Sequence, residues 1–270
     1  MVEDLATAVQ HQLDQWELHR DGEAHHGSGS MVLPVRTSDG DRAVLKISLA
    51  DAGSEHEHLV LRRWGGNGAV RLLRADPRRR ALLLERLRPK CLTTLPDIDA
   101  CAIVAGLYPR IHVPALPQLP TLTSYVEQWT RDFEALPRSA PIPHRLVEQA
   151  TVLGRELAGE PTSSVVHGNL DYESVLAADR EPWLVIAPKP MNGDPHFELA
   201  PMLWSRWDEF TGNIRGGVRR RFYTLVDAAS LDEERARAWV VVRVVKEATR
   251  ELANPTGLTK YVALAKAVQD

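Results

Sequence analysis

Val165-Val166-His167-Gly168-Asn169-Leu170-Asp171-Tyr172-Glu173-Ser174-Val175-Leu176 is the stretch on which the reading of this chain turns. Two β-branched residues open it, His167-Gly168 makes a turn, polar residues follow, and Val175-Leu176 re-enters an apolar strand. A loop pinned between two buried anchors is where functional side chains concentrate. Downstream, Trp183-Leu184-Val185-Ile186 forms a second apolar run that ends at Ala187-Pro188-Lys189-Pro190.

Outward toward the N-terminus, residues 2 to 16 place Leu5, Val9, Leu13 and Trp16 at helical spacing, which predicts an amphipathic helix. Gly27-Ser28-Gly29-Ser30 then precedes Met31-Val32-Leu33-Pro34-Val35, a glycine turn entering a strand. On its own this is as consistent with a plain hairpin as with a phosphate-covering loop. Thr37 to Gly40 is a turn, and Ala43-Val44-Leu45-Lys46-Ile47 is a strand with one lysine among apolar neighbours. Ser54 to Trp64 reads as a helix with Ser54 as N-cap and Glu57 at capping-box spacing. Val70 to Arg74 and Ala81 to Leu87 flank the turn at Asp76-Pro77.

Helical patterns follow at Ile98 to Ile111, Leu122 to Leu136 and Pro143 to Ala158, separated by proline-rich breaks. Beyond the central loop, Asn192-Gly193-Asp194-Pro195 leads into a helix expected over His196 to Trp207. Further helices are expected at Ile214 to Ala228, Asp232 to Leu252 and Leu258 to Val268, with Asn254 to Gly257 as the last turn.

His-Gly-x-Leu-x-x-x-x-Val-Leu at 167–176, Glu-Pro-Trp-Leu-x-Ile-x-Pro-Lys-Pro at 181–190 and Gly-Asp-Pro-x-Phe-Glu-Leu-Ala-Pro-x-Leu-Trp at 193–204 resemble the aminoglycoside phosphotransferase family. The likeness is to its streptomycin kinase and hydroxyurea phosphotransferase branch, and it covers nearly the whole chain. It implies an α+β, protein-kinase-like fold, with a small β-rich N-lobe at 1–87 and a larger, mainly helical C-lobe at 88–270. It also implies that Gly27 and Gly29 approach nucleotide phosphates, that Lys46 reaches them with Glu57 as its partner (Glu55 as runner-up), and that Asp194 bonds the backbone of the catalytic loop. Leu82 to Leu84 would floor an adenine site and Glu85 to Leu87 would be the hinge.

The chain departs from the family's pattern at three positions. Asn169 stands where the family has the catalytic Asp, Ser174 where it has a metal-binding Asn, and Ala187 where it has a metal-binding Asp. Phosphoryl transfer is positioning plus charge stabilisation, and magnesium asks for carboxylate and phosphate oxygens. The expectation is a kinase-fold pseudoenzyme with no metal site and no resident cofactor, ATP and Mg being needed only where the family mechanism survives. Its ligand would be a small molecule in the cleft between the lobes, cationic or a biosynthetic intermediate, in antibiotic or secondary metabolism. His167, Asp171 and Glu173 are candidate acid–base groups, and Lys189, His196, Trp204, Trp207 and Asp208 are candidate ligand contacts. Two other readings stay open. One is an enzyme of a different reaction class reusing the cleft; the other is a weak ATP-dependent antibiotic O-phosphotransferase with Asp171 or Glu173 as migrated ligands.

The whole-chain numbers fit this. With 270 residues there is room for a large core, and a formal net charge of −3 supplies no field favouring nucleic acid or an anionic membrane. Cys91 and Cys101 form no metal-type pattern and read as ordinary thiols. No signal-peptide pattern and no apolar run of about 20 residues occurs, so a cytoplasmic location is expected. Nothing in the sequence names a protein partner.

Overall fold

The computed structural model describes residues 5–27, 29–49, 53–160 and 163–269. In chain order its first elements are α1 (Leu5–Trp16), β1 (His19–Arg20), β2 (His25–Gly27), β3 (Ser30–Arg36), β4 (Arg42–Ser48), α2 (Glu57–Trp64), β5 (Leu72–Asp76) and β6 (Ala81–Glu85). The helices α3 (Asp97–Ile111), α4 (Leu122–Glu134) and α5 (His144–Ala158) follow. Next come the short strands β7 (Ser164–Val166), β8 (Val175–Ala177), β9 (Trp183–Val185) and β10 (Met191–Gly193). The chain ends with α6 (Leu199–Trp204), α7 (Ile214–Ala229), α8 (Glu233–Arg250) and α9 (Pro255–Gln269). Residues 2–4 of the expected first helix, and Ser28 of the glycine turn, lie outside the described residues.

The chain divides into two compact units, residues 1–90 with 176–190, and residues 91–175 with 191–270. In the first, an antiparallel sheet runs in the order β1-β3-β4-β6-β5, with β2 added on β3. Alternation decides its faces. Met31, Leu33 and Val35 on β3 stand opposite Ile47, Leu45 and Ala43 on β4, and Val9, Leu13 and Trp16 of α1 share their core. Leu33 and Leu45 are sealed from solvent, each contributing about 1.5–3 kcal/mol by burial.

The division differs from the expected single cut at 87, because the hairpin at 176–190 belongs with the first unit. Val185 exchanges backbone hydrogen bonds with Gly68 and Val70 (2.9 Å each). Arg180 binds the Glu85 carboxylate and the carbonyls of Gly66 and Ala69. These contacts span about a hundred residues of sequence and leave no local signature.

The second unit packs α4, α5 and α8 around the β7–β10 ribbon, with Leu122, Val126, Val166, Phe197, Trp239 and Val242 in one cluster. Two expectations fail here. The single helix over His196 to Trp207 is a 3₁₀ turn (Pro195–Glu198) followed by the short α6, and Asn192-Gly193 is strand. The last helix starts at Pro255, not Leu258, with the Asn254 carbonyl and carboxamide accepting from Leu258 and Gly257. Proline is well placed in a first helical turn, where its missing N–H is not needed. Among the described residues no helix is long and apolar enough to cross a membrane.

Candidate functional site

The loop at 165–176 is built by its own short side chains. Val165, Val166, Leu170, Tyr172 and Val175 are buried anchors. Gly168 has φ +82°, a left-handed turn that glycine takes without strain. The Asp171 carboxylate oxygen Oδ1 accepts from the amides of Glu173 (3.1 Å) and Ser174 (3.0 Å). Ser174 Oγ lies 2.8 Å from that same oxygen and 3.0 Å from the Asn169 carbonyl, so the hydroxyl is spent inside the loop. Asn169 is half-buried, and its amide N–H donates to His167 Nδ1 at 3.2 Å. His167 is fully buried, which suits a structural part rather than an acid–base group at a site's mouth.

Buried charges fix the loop from behind. Glu198 Oε1 accepts from the Gly168 amide at 2.9 Å, while Arg243 donates to the Gly168 and Phe197 carbonyls. The Arg243 guanidinium lies 3.9 Å from the centroid of the Phe197 ring, a desolvated cation–π contact. Burial pushes the Glu198 carboxyl up to about 7, against the backbone amides and Arg243, which pull it down. Burial likewise takes Arg243 down to about 10. Farther along, the Tyr172 hydroxyl donates to Asp97, and the buried Arg221 holds Asp97 at 2.8 Å.

This corrects the role expected of Asp194. Its carboxylate faces His196 (Nδ1 at 2.5 Å), Arg235 (2.5 Å) and Trp239 (2.6 Å), not the loop. Burial raises its pKa, but the His196 and Trp239 hydrogen bonds outweigh this and hold it at about 2. His196 Nε2 in turn accepts from the Asp232 amide, so the ring is committed to packing α8. Glu198 was legible only as a lone acid among Phe197, Leu199 and Ala200. Arg243 and Arg221 gave no signal, being arginines on otherwise ordinary helices.

In the first unit, Lys46 Nζ binds both carboxylate oxygens of Glu57 at 2.8 and 2.7 Å, and both side chains are buried. Burial raises the Glu57 pKa, and the lysine works against that. The capping box does not form. Glu57 is the first residue of α2, His56 is its N-cap, and Ser54 Oγ is buried with no hydrogen-bond partner among the described residues. A buried ion pair outcompetes a local cap because an unpaired buried lysine costs far more than a lost cap. Gly29 has φ +76° at the hairpin end, beside Gly27 at the end of β2. Lys189 is exposed, its stem beside Gly53.

Ala187 follows β9 with φ +53°. A left-handed conformation costs an ordinary residue roughly 1–2 kcal/mol, and Asn, Asp and Gly tolerate it best. A methyl here is therefore a strained choice where a carboxylate or amide would sit easily. Ala187→Gly is expected to raise stability by about 0.5–1 kcal/mol in urea unfolding, since the relief exceeds glycine's extra chain entropy. An unchanged or lower midpoint would mean that the alanine is not strained.

In the second unit the Ser174 hydroxyl and Asp171 Oδ1 are bonded to each other within the loop and Asn169 brings an uncharged amide; in the first unit Ala187 brings a methyl. Among the described residues no group of three or more His, Cys, Asp or Glu is arranged to hold a metal ion. What the second unit does bring together is Asp171, Glu173, Trp204, Trp207 and Asp208, which line one cavity of about 550 Å³ with Lys260. His167, Asn169, Ser174 and His196 are not among its walls.

Known proteins match this architecture. The sequence profile described as Aminoglycoside/hydroxyurea antibiotic resistance kinase covers residues 15–254. The streptomycin 6-kinase of Streptomyces griseus is 39% identical, over 98% of this chain and 89% of its own. The hydroxyurea phosphotransferase of Kitasatospora aureofaciens is 38% identical, over 93% and 74%. The choline kinase LicA of Streptococcus pneumoniae shares the fold at TM-score 0.65 and 11% identity, over 98% and 99% of the two chains. With an α+β kinase-like fold and a profile match spanning both units, the chain belongs to the aminoglycoside/hydroxyurea antibiotic resistance kinase family.

Proposed function

We propose that this chain is a pseudoenzyme of its family, a kinase-fold module that binds a small molecule and does not transfer phosphate by a magnesium-assisted route. One observation carries the reading: the loop hydroxyl and carboxylate nearest to a ligand role are hydrogen-bonded to each other, and the strand end offers a methyl in a left-handed conformation. Magnesium is bound mainly through carboxylates and substrate phosphates. A proton-accepting base typically contributes about 10²–10⁴ in rate, and the Asn169 amide cannot accept a proton usefully. A role in antibiotic or secondary metabolism is part of this proposal, and the relatives' names support its antibiotic side alone.

A second reading, a slow ATP-dependent antibiotic O-phosphotransferase, is favoured by the intact Lys46–Glu57 pair, the arrangement that holds nucleotide phosphates in kinase folds. Calorimetric titration with ATP, with and without magnesium, separates the two. We expect any ATP binding to be independent of magnesium, with no ADP formed in the presence of streptomycin or hydroxyurea. Magnesium-dependent binding accompanied by ADP formation would establish the second reading instead.

A further inference from the structure

The acidic balance of the whole chain conceals a local excess of the other sign. The net charge is −3, yet between residues 62 and 80 arginine occurs seven times and Asp76 is the only acid. These arginines fold onto the end of α2, the strand β5 and the turns on either side of it. There the end of α2 (Leu61, Arg62, Gly65) and residues 71–75 line a groove of about 260 Å³ within the first unit. Among the described residues β5 ends the order of its sheet and pairs with β6 alone. The wall takes residues 71–75 in unbroken succession and none of β6, so the groove follows the edge whose N–H and C=O groups have no strand partner.

A β-bulge shapes that edge. Leu72 pairs with Leu84 and Arg74 with Leu83, which leaves Leu73 without a partner on β6. A bulge re-aims a side chain, and Leu73 stands 51% exposed. The side chains of Arg62 and Arg71 are exposed and have no hydrogen bond or ion pair among the described residues. The Arg71 stem lies over Gly66, where any Cβ would come within 2.6 Å of Arg71 Cγ. Glu85 accepts from the Arg71 amide at 2.7 Å, but Arg180 grips its carboxylate at 2.6 Å. Arg74 is committed to Trp16, its guanidinium 5.2 Å from the ring centroid, and adds its charge to the same field.

Two ordinary explanations fall short. Arginine in the last turn of α2 complements the helix end, but that end carries only about half a charge, against three guanidiniums in the groove. Charges on an edge strand deter pairing with a second copy, and a leucine bulged into solvent works against that end. Open guanidiniums beside an apolar anchor and a free backbone edge suit an extended chain that is itself acidic. Main-chain bonds then supply affinity, and side chains supply the choice of partner.

We infer that the groove beside β5 is a docking site for an extended acidic segment of another protein. The segment adds to the open edge of β5, with carboxylates on Arg62 and Arg71 and an apolar side chain against Leu73. This goes beyond the proposed function and does not depend on it.

Fluorescence anisotropy on the full chain tests it with a labelled peptide of alternating glutamate and valine. About seven residues span β5 at about 3.4 Å each. The peptide should bind in the roughly micromolar range that suits so small a contact, and its lysine–valine counterpart at least about tenfold more weakly. Arg62→Glu with Arg71→Glu should weaken the acidic peptide about tenfold or more, and Leu73→Ser about threefold. Methylating alternate backbone amides of the peptide removes edge hydrogen bonds and leaves its charge, and should also weaken it about tenfold. Thermal midpoints close to that of the parent show that the variants fold.

Equal binding of the methylated peptide would overturn the inference. So would equal binding of a single-stranded oligothymidylate of similar charge, an affinity unchanged in either folded variant, or no binding at millimolar peptide.

Discussion

Replacing Arg243 by methionine is expected to lower the stability of the folded chain by about 3–5 kcal/mol, the cost of breaking a buried charge pairing from one side. The methionine stem and sulfur can still cover Phe197 and Trp204, so the loss measures the charge and its hydrogen bonds more than the packing. Without the guanidinium, the Gly168 and Phe197 carbonyls lose a donor and the fully buried Glu198 loses its balancing cation. Urea unfolding gives the magnitude. Amide exchange at Gly168 and Asn169 shows whether the loop opens first, and a change under about 1 kcal/mol would mean that Glu198 is held by backbone amides alone.

The same cluster fixes a pH dependence. Glu198 has a folded pKa of about 7 against an ordinary 4.5. A raised carboxyl contributes stability that is complete below 4.5 and is lost as pH rises through 7. His112, stacked on Tyr108 at 4.9 Å with Nε2 buried and unpartnered among the described residues, is lowered by burial from 6.5 to about 4. Its contribution has the opposite sign, present above 6.5 and lost as pH falls through 4. Between pH 4.5 and 6.5 the two oppose each other, each at most on the order of 3 kcal/mol. Glu198→Gln removes one of them, so its stability should rise with pH across this window more steeply than that of the parent chain. Parallel curves would show that Glu198 does not titrate there.

Particular residues show what the sequence could and could not disclose. The strands at 31–35 and 43–47, the anchored loop at 165–176 and the helices before it follow from alternation and helical spacing, which are local properties. The failures come from distant partners. The helix expected over His196 to Trp207 stops at Trp204, with Arg206 in a left-handed conformation at φ +52°. There Arg221, one helix later, draws the carbonyls of Met202, Ser205 and Arg206 onto its buried guanidinium. Ser54 looked like a cap because Glu57 stood three residues on, yet Glu57 answers to Lys46 across the unit. Asp194 was expected to clamp the loop because the family resemblance implied that role, and Glu198 took that place from the next turn. The start of α9 is a different case: Asn254-Pro255 was a legible N-terminal signal that its own turn-like composition concealed.

Asn169→Asp, Ser174→Asn and Ala187→Asp made together are expected to produce magnesium-stimulated ADP formation with streptomycin as the acceptor probe, where the parent chain shows none. The gain should be strongly non-additive, because base and metal ligands act as a unit and restoring one leaves the others missing. Asn169→Asp alone returns a base worth about 10²–10⁴ in rate only once the metal is held, so by itself it should do little. Ala187→Asp should fold at least as well as the parent, since aspartate tolerates the left-handed backbone that strains alanine. Ser174→Asn also frees Asp171 Oδ1 from the hydroxyl that occupies it, leaving its two amide contacts to keep the turn. ADP release with and without magnesium, read against thermal midpoints, keeps misfolding apart from missing chemistry. A folded, inert triple variant would show that these three positions are not what this chain lacks, and the case for a non-transferring module would then lose the observation that carries it.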